Sequence, residues 1–250
     1  MPVVLMKHIV QLSGGKDSTA MLLMMLERNM PVDEIIFCDT GMEFPELYKH
    51  IDAVEKFIGR KITRLKAEHS FEYYMADIPK IRYREGNRNT GYGWPRMFNR
   101  WCTKHFKIEP VKKYLKDIPE YTLYIGIAVD EPKRHKNIPE NVRHPLFDWG
   151  VTEKQALQYC RDHGFDFGGL YERFNRLGCY CCPLQRLEDL RNVRRYYPDL
   201  WTEILRLDKK ADYAFRGYWR AKQLERRFAL EDAQGCLFEV DEVVKNENSM

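Results

Sequence analysis

Apolar and polar positions alternate in blocks along the first half of the chain. His8 to Leu12 is a short apolar run; six small or polar residues follow, and Thr19 to Leu26 then carries the apolar density of a buried helix. The spacing predicts strand, tight turn, helix. Asp33 to Phe37 predicts a second strand, Leu47 to Ile58 a second helix and Ile62 to Ala67 a third strand. That order predicts an α/β fold, a doubly wound parallel sheet with helices on its faces. Residues 68–98 break the rhythm: Gly86, Asn87, Asn89, Gly91, Gly93 and Pro95 are scattered among Tyr and Arg, the composition of a functional loop or lid. A helix through Pro110 to Leu115 and a strand over Tyr121 to Ala128 follow. Thr152 is placed to cap a helix from Glu153 to His163. Leu187 to Phe228 predicts two or three helices with basic faces, the first broken at Pro198. No Gly/Ser/Pro linker and no internal repeat interrupts the series.

The turn after the first strand reads Ser13-Gly14-Gly15-Lys16-Asp17-Ser18. Glycines at a strand-to-helix turn let backbone approach a phosphate, the helix start offers free N–H groups, and Lys16 adds a mobile charge. The turn is therefore a phosphate cradle. It is not a Walker loop, which needs four residues between its first glycine and Gly-Lys. Asp39 and Glu43 follow the second strand, at the carboxyl ends where a parallel sheet forms its ligand crevice, and are expected to face a nucleotide; Asp39 could equally cap the next helix.

These residues carry a resemblance. Ser-Gly-Gly-Lys-Asp-Ser resembles the pyrophosphatase loop of the adenine nucleotide alpha-hydrolase-like superfamily (the PP-loop), which includes ATP pyrophosphatases, tRNA thiolases, DNA phosphorothioation enzymes and phosphoadenosine phosphosulfate (PAPS) reductases. Asp39-Thr-Gly-Met-Glu43-Phe-Pro-Glu46 resembles the segment after the second strand of PAPS reductase-like proteins. Gly126, with Glu131 and Arg134 close behind, resembles the strand end beside the adenosine phosphates; an ordinary surface acid and base is the competing reading. The resemblance implies a nucleotide, ATP or a sulfonucleotide, held by Ser13, Gly14, Gly15, Lys16, Asp17, Ser18, Asp39, Glu43, Gly126, Glu131 and Arg134. Lys16, Asp17 and Asp39 would act in catalysis, with Mg2+ held by Asp17 and Asp39. The expected division is a PP-loop nucleotide-binding domain over 1–150, a helical cysteine-bearing region over 151–230 and a solvated, partly disordered acidic tail over 231–250.

Composition narrows the class. With 250 residues and 44% hydrophobic content the chain can bury a core. No apolar run reaches bilayer length and no signal series opens the chain, so a soluble, cytoplasmic protein with no membrane partner is expected. The net charge of +4 is unevenly spread. Lys80 to Lys116 holds 11 Lys/Arg against 2 Asp/Glu, while Glu231 to Met250 holds 6 acids against one Lys. In the basic stretch Tyr83, Tyr92, Trp94, Phe98 and Trp101 interleave with Arg82, Arg84, Arg88, Arg96 and Arg100, a pattern suited to DNA or tRNA, or to a small nucleotide's phosphates beneath an aromatic lid.

Seven cysteines, three of them at 179, 181 and 182, point to metal or redox chemistry over a disulfide framework. Cys179 and Cys182 have the spacing by which one loop offers two thiolates to one metal. Cys102 is the third expected ligand and Cys160 the fourth, with Cys181 as its alternative. Cys38 and Cys236 read as a buried small residue and a lone thiol. Four thiolates suit zinc or a 4Fe-4S cluster. The Arg-Trp-Cys-Thr and Gly-Cys-x-x-Cys-Pro settings resemble iron-sulfur members of the PAPS reductase-like group, which implies the cluster.

The resemblance implies a nucleotide-dependent sulfur-transfer enzyme: ATP adenylates a substrate oxygen, pyrophosphate leaves, and sulfur from a donor protein displaces AMP. The alternative is PAPS or APS reduction with an electron donor. Against it, the late cysteine lies in Gln234-Gly235-Cys236-Leu237-Phe238, without the Glu-Cys-Gly-x-His setting of the reductase nucleophile. A non-catalytic nucleotide- and cluster-binding subunit is the third reading. A homo-oligomer is compatible with all three.

Overall fold

The computed structural model describes residues 5–80 and 90–247, with side chains through residue 234. The chain forms two compact units: residues 1–71 with 100–180, and residues 72–99 with 181–250.

The first unit is a five-stranded, all-parallel sheet in the order β3-β2-β1-β4-β5. Its strands are β1 (Lys7–Gln11), β2 (Glu34–Asp39), β3 (Thr63–Lys66), β4 (Tyr121–Ile125) and β5 (Val142–Arg143). Four expected helices are present: α1 (Lys16–Glu27), α2 (Pro45–Ile58), α3 (Glu109–Leu115) and α4 (Glu153–Asp162). Strand β5 is new, because two residues carry too little pattern to be read from sequence. Ile9, Ile36, Cys38, Val111, Leu115 and Leu123 form one buried cluster between the sheet and α3. Cys38 thus fills its place as a small apolar residue. Helix α2 buries Leu47, His50, Ile51 and Val54, one stripe at helical spacing, and ends at Gly59 with φ 63°. Just upstream of α3, Lys104–Ile108 form a π turn.

Helix α4 starts as expected. The Thr152 hydroxyl accepts the Gln155 N–H at 3.2 Å and the Gln155 side chain accepts the Thr152 N–H at 2.9 Å, a reciprocal cap. It packs on α1, which keeps residues 151–180 with the sheet. The boundary expected at residue 150 therefore falls after residue 180.

In the second unit, residues 72–99 join helices α5 (Leu187–Tyr196), α6 (Pro198–Lys210) and α7 (Ala221–Glu247). Pro198 sits at the first turn of α6, where its missing N–H is harmless. The segment expected to be a loop contains a π turn over Tyr73–Asp77 and a bridge between Pro79 and Thr90. Gly91, at φ 66°, lies so close to this turn that a Cβ would stand 2.4 Å from the Met75 carbonyl oxygen. Arg82, Tyr83, Arg84 and Arg88 lie outside the described residues. Helix α7 runs through residue 231, where the acidic run begins, to Glu247. Arg227 and Arg191 both pair with Glu231, which anchors that helix across the point where the acidic run begins. Trp94, Val193, Trp201, Leu207, Phe215 and Phe228 are buried here. Among the described residues no helix is long and apolar enough to cross a membrane.

Candidate functional site

In the strand order 3-2-1-4-5 the chain switches direction between β1 and β4, and a parallel sheet opens a crevice at that point. Both expected loops emerge there, one after β1 and one after β4. Their approach is close: a Cβ on Gly126 would stand 2.7 Å from the Ser18 backbone, so only glycine lets β4 end against the start of α1. Gly14 has φ 79°, a left-handed turn that glycine adopts without strain. Ser18 ties the loop. Its hydroxyl accepts the Ser13 N–H at 3.0 Å, lies 2.9 Å from the Ser13 hydroxyl, and donates to the Gly15 carbonyl at 3.1 Å.

Lys16 is only 12% exposed and reaches Asp17 at 3.3 Å and Glu153 at 3.1 Å. Ligating oxygens of Asp17, Glu131 and Glu153 all lie within 4.8 Å of one another. Three carboxylates against the Lys16 ammonium and the Arg134 guanidinium on Glu131 leave excess negative charge, and Asp17 registers it. Burial foremost, then the neighbouring Glu153 and Glu131 carboxylates, push its pKa up to about 6 against the pull of Lys16. Asp17 Oδ1 is buried and has no hydrogen-bond partner among the described residues. A hard divalent cation is the group such oxygens fit. Glu131 also takes a two-pronged ion pair from Arg134, at 2.8 and 2.9 Å, so these two residues act as a pair.

Asp39 does not join Asp17. Its Oδ1 accepts the Gly41 N–H at 2.9 Å and the Tyr48 hydroxyl at 2.8 Å, and its Oδ2 pairs with Lys66 at 3.4 Å. Asp39 folds back on its own loop and is not among the clustered oxygens of Asp17, Glu131 and Glu153. Glu43 is buried away from solvent. It accepts the Thr40 hydroxyl at 2.9 Å and the Cys179 thiol at 3.7 Å, and burial raises its pKa.

Two residues with no assigned role in the sequence complete the loop. Glu153 was read only as the start of a helix, since nothing local marks it as a partner of Lys16. Tyr171 places its hydroxyl 2.8 Å from the Lys16 amide, accepting the first N–H of α1. A surface recess lined by Asp33, Glu34, Lys61 and Tyr114 lies at the opposite, N-terminal ends of β2 and β3.

The cysteines sort by exposure. Cys102, Cys179 and Cys182 are half-buried; Cys38, Cys160 and Cys181 are buried. Cys102 and Cys179 belong to the sheet unit, Cys181 and Cys182 to the helical unit. Cys160, the expected fourth ligand, lies apart from the half-buried three in burial. Helix α4 packs it beneath the phosphate loop, where its thiol donates to the Lys16 carbonyl at 3.4 Å and burial pushes its pKa up to about 12. The side chain of Cys236 lies outside the described residues.

The chain matches the phosphoadenosine phosphosulfate reductase domain over residues 7–185, which takes in both loops and the cysteine turn. It belongs to that family. An uncharacterised protein of Methanocaldococcus jannaschii is 31% identical to this PAPS reductase-family chain over 206 residues, covering 77% of it and 39% of the archaeal protein. The PAPS reductase of Vibrio atlanticus is 24% identical over 173 residues, covering 66% of the chain and 62% of the enzyme. Among solved structures, the U34-tRNA thiolase NcsA from Methanococcus maripaludis, with its [4Fe-4S] cluster, has a TM-score of 0.42 at 17% identity, covering 80% of this chain and 70% of the thiolase. The family includes enzymes, and the chain spans about two fifths to one half of the length of the two M. jannaschii proteins it matches.

Proposed function

We propose that this PAPS reductase-family chain is a PP-loop enzyme that uses ATP to adenylate an acceptor oxygen and then directs sulfur to the activated carbon. Bond by bond, the acceptor oxygen attacks the α-phosphorus, the α–β bridging bond breaks, and pyrophosphate leaves. A sulfur nucleophile from a donor then bonds to the acceptor carbon, and AMP departs with the oxygen. One observation carries this reading: at the sheet's switch point the glycine turn, Lys16 and an underpartnered Asp17 meet Glu131 and Glu153.

Backbone N–H groups of Gly14 and Gly15 would bind the departing phosphates. Lys16, released from Asp17 and Glu153, would follow the charge that develops on them. Asp17, Glu131 and Glu153 would hold Mg2+, which supplies charge neutralisation on the phosphates. Arg134, paired with Glu131, would steady that carboxylate.

For an iron-sulfur group the sequence spacing would make Cys179 and Cys182 donors, with Cys102 and either Cys160 or Cys181 completing the set. Held by three thiolates, such a group would supply the chemistry to carry an extra sulfide; a fourth thiolate would make it structural or electron-transferring. Thr40 and Glu43 hold Cys179 from the protein side, with Thr40 Oγ1 3.5 Å from its sulfur.

The match to PAPS reductases favours a second reading, reduction of a sulfonucleotide on the same loop. One experiment separates them. Anaerobically purified protein is assayed for iron and sulfide, for pyrophosphate release from ATP, and for sulfite release from PAPS. Pyrophosphate release is expected, and Lys16→Ala should lower it by about 100-fold or more with iron retained. Sulfite release in its place would establish the reductase reading.

A further inference from the structure

Within the helical unit the chain builds the same small device twice. Arg96-Met97-Phe98-Asn99 closes a two-residue turn, with the Arg96 and Asn99 backbones bonded reciprocally at 3.1 and 3.0 Å. Arg216-Gly217-Tyr218-Trp219 closes another, with the Arg216 and Trp219 backbones bonded at 3.0 and 2.8 Å. Each puts one aromatic ring at its tip, and the rings are bare: Phe98 is 100% exposed and Tyr218 98% exposed. Each is followed at once by an arginine and a helix, Arg100 before Trp101 and Arg220 before Ala221. Gly217, at φ 57°, lets the second turn close so tightly.

One buried node fastens both turns. Asp208 Oδ1 accepts the indole N–H of Trp94, two residues before the first turn, at 2.9 Å. Its Oδ2 accepts the Ala221 N–H, two residues after the second, at 2.9 Å. Trp94 meets Phe215 edge-on with ring centres 4.8 Å apart, and the Arg96 guanidinium lies 4.8 Å from the Tyr213 ring centre. Arg216 is spent on the Pro183 carbonyl at 2.7 Å and on that of Gln185, and Arg220 on those of Ala211 and Tyr213 at 2.9 Å. Two fully exposed rings on rigid, jointly anchored turns bury nothing in the monomer. They are preorganised contact groups.

The charge around them selects the partner. Residues 206–227 carry 8 Lys/Arg against 3 Asp/Glu; Arg206 and Lys210 pair with Glu72 and Arg227 with Glu231, while Lys209, Lys222 and Arg226 are exposed. Flat aromatic faces among cations suit a polyanion that offers flat apolar faces of its own. We propose that Phe98 and Tyr218 are paired stacking platforms for unpaired bases of a single-stranded nucleic acid, with Arg96 and the exposed cations of residues 206–227 on its phosphates. Stacking reads any base, so the platforms bind strand rather than sequence. The phosphate loop plays no part in this inference.

The test is fluorescence anisotropy with the full chain and labelled oligomers of about 20 nucleotides, as single-stranded RNA, single-stranded DNA and the matching duplex, over a salt series. Both substituted rings are solvent-exposed, so Phe98→Ala and Tyr218→Ala leave the fold intact. Each should weaken single-strand binding about tenfold with the salt slope unchanged, and Phe98→Trp should bind at least as well as the parent. Pyrophosphate release from ATP without oligomer should be unaltered in all three, which keeps failure here separate from failure of the adenylation reading. Unchanged affinity in both alanine variants, a duplex bound as tightly as the single strands, or no saturable binding to either strand would overturn the proposal.

Discussion

Each unit holds an aspartate with a buried carboxylate oxygen, and the two are treated in opposite ways. Asp208 in the helical unit uses both oxygens: an indole and a backbone N–H donate to them, and Arg220 stands 3.5 Å away. Asp17 in the sheet unit keeps one buried oxygen without a partner, beside two further carboxylates that raise its pKa. A satisfied buried carboxylate acts as a structural rivet. An underpartnered one is unfavourable in the folded state by itself, and its position at a phosphate loop marks the place where a ligand completes it. The same residue type therefore holds one unit together and equips the other.

The sharpest way to break this comparison is to remove the rivet. Asp208→Ala orphans the Trp94 indole and the Ala221 amide in a buried place and frees the turn on each side, for a loss of about 2–4 kcal/mol. Urea unfolding followed by tryptophan emission measures it. A loss below about 1 kcal/mol would show that Asp208 is no more than a spectator of aromatic packing. Asp208→Asn keeps one acceptor oxygen and should fall between the variant and the parent.

The aspartates also show what sequence reading can reach. The loop, the helix after it and the Thr152 cap were legible because each depends on residues within a few positions: glycines at a turn, apolar spacing, Thr before Gln. Asp17 was legible for the same reason, and the family resemblance reached Glu131. Glu153 was not. Its role arises because α4 packs on α1 and brings residue 153 to residue 16, a contact that no local pattern encodes. The rule for strand ends could not show which donors the Asp39 carboxylate would meet. Its side chain obeyed a closer claim, the Gly41 amide and the Tyr48 hydroxyl. For Cys160 the sequence shows a cysteine but not the Lys16 carbonyl that its thiol meets. Asp208 was invisible too, because Trp94 and Asp208 are 114 positions apart.

The smaller effect has the opposite sign and sharpens the contrast. An unfolded aspartate titrates near 3.9, and Asp17 in the fold at about 6. Between these values the folded protein holds a proton that the unfolded chain has released, so stability falls as pH rises through the window, and the loss is complete above about pH 6. Asparagine cannot ionise. Asp17→Asn should therefore match the parent at pH 4 and exceed it at pH 7.5 by about 1–2 kcal/mol, less than the full shift because Lys16 loses a partner. For a chain of this length that is a rise of about 2–8 °C in Tm. Mg2+ should raise the Tm of the parent at pH 7.5 and leave the variant unmoved, since binding stabilises only the state that binds. Turnover should fall in the variant even as stability rises. If Asp17→Asn were the less stable protein at pH 7.5, Lys16 would be holding Asp17 as firmly as the Trp94 and Ala221 donors hold Asp208, and the distinction between rivet and ligand site would fail.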